Sequence, residues 1–219
     1  MDIMEARWVR AALEKRKPKD LSPLLNIGSS TLEFRSKRQP WITEEIVAPL
    51  ERRGIDLIHV DIKQETGVDI VADLMADVDL ERLKQLHPRA IMCSNLLEHV
   101  TDAKSFARRC SDLVPSGGTI IVTGPHSYPY HRDPIDTMFR PTPTEAAALF
   151  PDCVLEDSAI IDSGKSYLDN IRARPWIVFR HIGRAPFPMF GYTAWKRSMA
   201  KLHWLTHNYL YFCIVLRKK

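Results

Sequence analysis

The stretch AIMCSNLLEHVTDAKSFARRCSDLVPSGGTIIVTG, residues 90–124, decides the fold. Residues 90–94 form a short apolar run of strand length. Phe106, Cys110 and Leu113 recur at helical spacing within 102–113. Gly117 and Gly118 turn the chain into a second apolar run, 119–123. Strand, helix, tight turn and strand in that order form the unit from which a parallel sheet is built.

The same alternation extends upstream. Leu24-Leu25-Asn26-Ile27, closed by Gly28, reads as a buried strand entering a tight turn. Residues 56–62 and 68–73 are two further strands, whose ends carry Asp61 and Asp73. Helical spacing is predicted over 3–16 within an N-terminal element of residues 1–20, and again over 43–53 and 79–86. Downstream, a helix over 145–150 and strands over 154–161 and 209–216 complete the series. The prediction is a doubly wound α/β fold with a mostly parallel seven-stranded sheet. It forms a single domain over 1–219, with a helical insertion, 170–208, before the last strand.

The chain has 219 residues, enough to bury a large core. No run of 18 uncharged apolar residues is present, which argues against a membrane span. The first twenty residues mix both signs of charge and lack the apolar centre of a secretory signal. Cys93, Cys110, Cys153 and Cys213 are scattered, without metal-ligand spacing, so a reducing cytoplasm is the expected location. Residues 170–219 hold ten of the 31 basic residues and none of the 27 acidic ones, so they carry +10 and the preceding residues −6. Such a split points to a surface for an anionic partner.

Two features of the first half bear on chemistry. The turn after residue 27 can bring backbone N–H groups close to a ligand at the carboxyl edge of the sheet. Asp61, at a strand end, can accept the hydroxyls of a ribose. It lies 33 residues after Gly28, against roughly 20 in the dinucleotide fingerprint, so residues 33–43 read as an insertion. The missing G-x-G-x-x-G argues against a nicotinamide dehydrogenase.

Leu97-Glu98-His99-Val100, followed by Leu113-Val114-Pro115-Ser116-Gly117-Gly118, resembles the class I S-adenosylmethionine-dependent methyltransferases, in particular their type 11 branch. The resemblance covers about residues 22–150 and implies a Rossmann-like fold with S-adenosylmethionine as cofactor. It implies that Asn26, Gly28, Ser29 and Ser30 cradle the methionine part and that Asp61 holds the ribose. Asp73 and Leu74 match the pair at the adenine, and Asn95 and Leu96 match positions beside the sulfonium and adenosine. Two positions depart from the pattern: Asn26 stands where the family has an acid, and Ser30 where it has a glycine. In the family Glu98 and His99 shape the loop and the next helix, so neither is assigned to catalysis.

The acceptor site is expected beyond the fifth strand, where His126, Tyr128, Tyr130, His131, Arg132, Asp133, Asp136 and Arg140 fall within 15 residues of a proline-rich loop. Histidine is the natural base near neutral pH. His131 is the expected base, with Asp136 as orienting partner or alternate base and His126 as second choice. Arg140, Tyr128 and Tyr130 are the expected acceptor contacts. A His/Asp metal site is the less favoured reading, and no metal is assigned. The H-x-x-P-x-D-x-x-x-R-P-T pattern also resembles methyltransferases of bacterial surface-polysaccharide synthesis, which implies O-methylation of a sugar, glycan or small metabolite.

A helix over 194–206 would place Trp195, Met199, Leu202 and Leu205 on one face, and Arg197, Lys201 and Trp204 on the other. That second face would suit a membrane surface or lipid-linked substrate. The competing expectation is a helix packed at a homodimer interface or as a lid. Nucleic acid is not expected, since no recognition motif accompanies the charge. The alternative function is a non-catalytic module on the same fold that docks an anionic partner or membrane surface.

Overall fold

The structure is a computed structural model that describes residues 1–131, 135–179 and 191–219. Arg132, Asp133 and Pro134 of the proline-rich loop, and residues 180–190 of the basic segment, lie outside them.

Seven strands form one sheet in the order β3-β2-β1-β4-β5-β7-β6. They are β1 (Leu24–Ile27), β2 (Leu57–Asp61), β3 (Ile70–Val71), β4 (Ala90–Ser94), β5 (Thr119–Ser127), β6 (Cys153–Ser166) and β7 (Asn208–Lys218). The β1, β2, β3, β4 and β5 pairings are parallel, and β7 runs antiparallel between β5 and β6. The helices are α1 (Ile3–Glu14), α2 (Pro18–Leu21), α3 (Ala48–Arg52), α4 (Asp77–Lys84), α5 (Ala103–Leu113), α6 (Pro143–Ala147), α7 (Tyr167–Ala173) and α8 (Tyr192–Ala200).

The two-residue period of the strands divides the core. Leu25, Ile27, Ile91, Cys93, Ile120 and Val122 face one side, where Leu80, Leu83, Phe106 and Cys110 of α4 and α5 cover them. Leu24, Ala90, Met92 and Ile121 face the other, under Ala6, Val9 and Leu13 of α1 and Ile46 and Leu50. A sheet covered on both faces explains why its central strands are continuous apolar runs. All four cysteines are free.

Three expectations change. Residues 33–43, read as an inserted loop, are largely helical. They belong to the crossover from β1 to β2, which contains two π-helical turns, Phe34–Arg38 and Thr43–Val47, before α3. The third strand has only two residues, so Asp73 lies beyond it in an exposed turn, its Oδ1 accepting the Met75 N–H at 2.9 Å. The helix expected over 194–206 ends at Ala200 and tightens to a 3₁₀ turn, Lys201–Leu205. The change of pitch breaks the two-face pattern. Trp204 turns inward, its ring 5.9 Å from that of Tyr209, and no exposed tryptophan stands between two cations there.

Candidate active site

The order of the strands reverses between β1 and β4, and in open α/β sheets ligands bind at that point, outside the carboxyl ends of the strands. Here a cleft of about 1420 Å³ opens, lined among others by Gly28, Asp61, Leu74, Asn95, Glu98 and His131.

The β1 turn forms one wall. Gly28 has φ +71°, and a Cβ there would stand 2.9 Å from the Leu96 side chain, so the turn accepts only glycine without displacing Leu96. Ser30 has φ +57°, the left-handed conformation that the family's glycine adopts readily. Its N–H donates to Asp61 Oδ2 at 2.8 Å, and the Lys63 N–H donates to Asp61 Oδ1 at 3.1 Å. Each oxygen of Asp61 keeps one further acceptor position, at the edge of the cleft. Asn26 is buried, its amide nitrogen 3.1 Å from Nδ1 of His59 on the neighbouring strand. An amide N–H donates there to an imidazole lacking a proton at Nδ1. Burial, with Arg35 nearby, pushes His59 down to about 4 and keeps it neutral. Asparagine in place of an acid matches this neutral neighbour.

Arg35, which no motif singles out, holds the turn. It is 3% exposed and donates to the carbonyls of Ser29 (2.9 Å), Ser30 (2.6 Å) and Gly67 (2.7 Å). A Cβ on Gly67 would lie 3.0 Å from this guanidinium and closer still to Leu32, so glycine makes the room. Glu5 of α1 is equally unforeseen. Fully buried, it accepts from Asn95 Nδ2 at 2.6 Å and Thr123 Oγ1 at 2.5 Å, and caps α1 through the Asp2 N–H. The Asn95 amide is therefore committed to Glu5, although the residue lines the cleft.

The other end of the cleft gathers the loop after β5. Thr137 donates twice to the carbonyl of Glu98, and His99 Nδ1 bonds the carbonyl of Ile135, which lays this loop over the Leu97–His99 turn. His131 and Asp136 meet: the His131 N–H donates to Asp136 Oδ2 at 2.9 Å, and Nδ1 lies 3.3 Å from the same oxygen. Asp136 is a poor alternate base. Burial alone would raise its carboxyl, but bonds from Arg140, His131 and Met138 outweigh that and hold it below the usual carboxylate range. Arg140 spends its guanidinium on Asp136, Tyr128 and Phe139 rather than facing the cleft. His126 bonds the carbonyl of Pro141, and Tyr130 stacks under Arg197 at 3.9 Å, both away from the cleft lining. Tyr128 does line it, packed with Tyr209 and Tyr211. Burial raises all three phenols above their ordinary range, so they remain O–H donors.

Glu98 stands apart. It is 1% exposed, it lines the cleft, and neither carboxylate oxygen has a hydrogen-bond partner among the described residues. Burial pushes its carboxyl up to about 7. One ligand atom each of Glu98, His99 and His131 lies within 4.8 Å of the others.

No protein-family model matches the sequence, and no curated protein matches it. Solved structures do resemble the fold. A protein of Galdieria sulphuraria assigned as a sarcosine dimethylglycine methyltransferase aligns over 98% of this chain and 84% of its own, at 12% identity and TM-score 0.55. A coclaurine N-methyltransferase bound to N-methylheliamine and SAH aligns over 97% and 72%, at 12% identity and TM-score 0.51. The cyclase SpnF aligns over 97% and 81%, at 15% identity and TM-score 0.51, so likeness at this level fixes architecture and not the reaction. With its antiparallel β7 between β5 and β6, the chain has the fold of the class I S-adenosylmethionine-dependent methyltransferases.

Proposed function

We propose that this chain is an S-adenosylmethionine-dependent methyltransferase that acts on a hydroxyl of a sugar, glycan or small metabolite. The observation that carries the reading is the cleft at the strand-order reversal. It has the Asp61 carboxylate pinned at one end and the Glu98, His99 and His131 side chains converging at the other.

The residues fit the cofactor. The two open acceptor positions on Asp61 match a ribose diol. Leu74 and Leu96 offer apolar surface, and the buried Ser94 Oγ at the cleft has no partner among the described residues. Bound S-adenosylmethionine supplies a methyl group on a positively charged sulfur. What remains for the protein is to hold an acceptor oxygen in line and to remove its proton. The rings of Tyr128, Tyr209 and Tyr211 suit the face of a sugar, and their phenols can donate to its oxygens. Glu98, His99 and His131, with their ligand atoms within 4.8 Å of one another, line the end of the cleft where an acceptor hydroxyl would give up its proton.

Calorimetric titration with S-adenosylmethionine tests this. The wild-type chain binds, and Asp61→Ala weakens binding about 100-fold, the equivalent of two charge-assisted hydrogen bonds at about 1.5 kcal/mol each. Absence of binding at millimolar cofactor refutes the reading.

A further inference from the structure

We infer that Glu98, His99 and His131 form a binding site for one divalent transition-metal cation, which engages the acceptor hydroxyl at the inner end of the cleft. The inference rests on the methyl-transfer reading for its purpose but not for its geometry.

Three observations carry it. First, two imidazoles and a carboxylate come within 4.8 Å of one another, and a two-histidine, one-carboxylate set with open positions suits iron, manganese, cobalt or zinc. A cation bound at about 2.1 Å from each atom needs them roughly 3–3.5 Å apart. His99 Nε2 and Glu98 Oε1 stand 3.8 Å apart and all three atoms lie within 4.8 Å, so closure takes roughly 2 Å at most.

Second, the surroundings prepare the ligands. His99 Nδ1 faces the carbonyl of Ile135, which holds the ring proton there and leaves a lone pair on Nε2, toward Glu98. His131 Nδ1 lies 3.3 Å from Asp136 Oδ2, which is itself fixed by Arg140 at 2.7 Å. The carbonyl behind the His99 imidazole is the arrangement that orients a histidine on a metal; Asp136 meets His131 Nδ1 as a charge contact, outside hydrogen-bond alignment.

Third, Glu98 is 1% exposed, opens on this cleft and has no hydrogen-bond partner among the described residues. Buried carboxylates are normally paired or metal-bound. A cation among the three groups satisfies the carboxylate and removes the mutual repulsion of the lone pairs. Its remaining positions face the cleft beside Tyr128 and Tyr209, where one or two hydroxyls of an acceptor fit.

The test uses the full chain, stripped with chelator and without S-adenosylmethionine. His203 and His207 stack on the surface with rings 4.0 Å apart and could bind metal on their own, so both are changed to Gln in the background. Titration with Co²⁺, followed by visible absorption and calorimetry, gives one site per chain. His99→Ala and His131→Ala each weaken it about 100-fold or more, and Asp136→Asn, a positioning change, weakens it about 10-fold. If a variant does not fold, nitrogen-15 NMR of the parent with Zn²⁺ replaces it, and the imidazole resonances of His99 and His131 move together. No cobalt binding, or binding that both alanine variants leave unchanged, overturns the inference. A chain that binds S-adenosylmethionine but no cation overturns the metal site alone. A chain that binds the cation but not S-adenosylmethionine supports the site and overturns methyl transfer.

Discussion

Replacing Arg35 by Met keeps the length of the stem and removes the charge that ties the β1 turn to the loop at Gly67. Three bonds vanish, to the carbonyls of Ser29, Ser30 and Gly67. Hydrogen bonds to a charged group contribute about 1.5–3 kcal/mol each, for a gross loss of roughly 4.5–9 kcal/mol. Two effects offset part of it. Methionine escapes the desolvation cost of a buried guanidinium, several kcal/mol in ordinary cases, and water from the cleft can reach the freed Ser30 carbonyl. A net loss of about 3 kcal/mol remains, which lowers Tm by roughly 6–12 °C in a chain of this size. Because the clamp also faces Asp61 electrostatically, S-adenosylmethionine affinity falls about 10-fold, or 1.4 kcal/mol. Urea unfolding measures the first quantity and calorimetry the second. The exposed Arg108→Met serves as control and stays within about 0.5 kcal/mol of wild type. If Arg35→Met behaves like Arg108→Met in both assays, the clamp does not organise the turn.

Glu5→Ala strips the partners from Asn95, Thr123 and the start of α1 at once. It costs about 3 kcal/mol of stability, since each abandoned buried donor costs roughly 1–3 kcal/mol, and equal unfolding curves for mutant and wild type would contradict the arrangement. Acid unfolding probes His59. Its ordinary value of 6.5 falls to about 4 in the folded state. Above pH 6.5 both states are neutral and the residue contributes nothing. Between pH 6.5 and pH 4 only the unfolded chain takes up the proton, so stability falls with pH by up to about 3 kcal/mol and is flat below. His59→Asn removes that slope; unfolding free energies at pH 7 and pH 4.5 that differ equally in both proteins rule the mechanism out.

Much of the cleft could be read before the fold was known. Gly28, Asp61, Asp73 and Asn95 announce themselves because each follows a strand, and position at a strand end is a local property of sequence. Asn26 and Ser30 were legible as departures but not as solutions. Asn26 makes sense only beside His59, 33 residues away, and Ser30 only once its left-handed backbone is seen. The π-helical turns escaped because periodicity is read against a period of 3.6 residues, which a wider turn breaks. Arg140 was expected to face a substrate, yet nothing in its neighbours shows that Asp136 takes it first. Glu98 was set aside because the resemblance gives it a part in shaping the loop and the next helix; its isolation comes from the loop after β5, which Thr137 ties over it.

The amino-acid sequence by itself determined the alternation of strands and helices, the two-sided burial of the sheet and the strand-end residues of the cleft. These depend on periodicity and on turn-forming residues, which act over a few positions. The tertiary structure alone decided which polar groups find partners. Arg35 reaches Gly67, and Glu5 reaches Asn95 and Thr123, while Glu98 is left without a protein donor among the described residues. A buried charge is stabilised or penalised by whatever the folded chain brings within about 3 Å of it, and strand order, not sequence spacing, sets those neighbours.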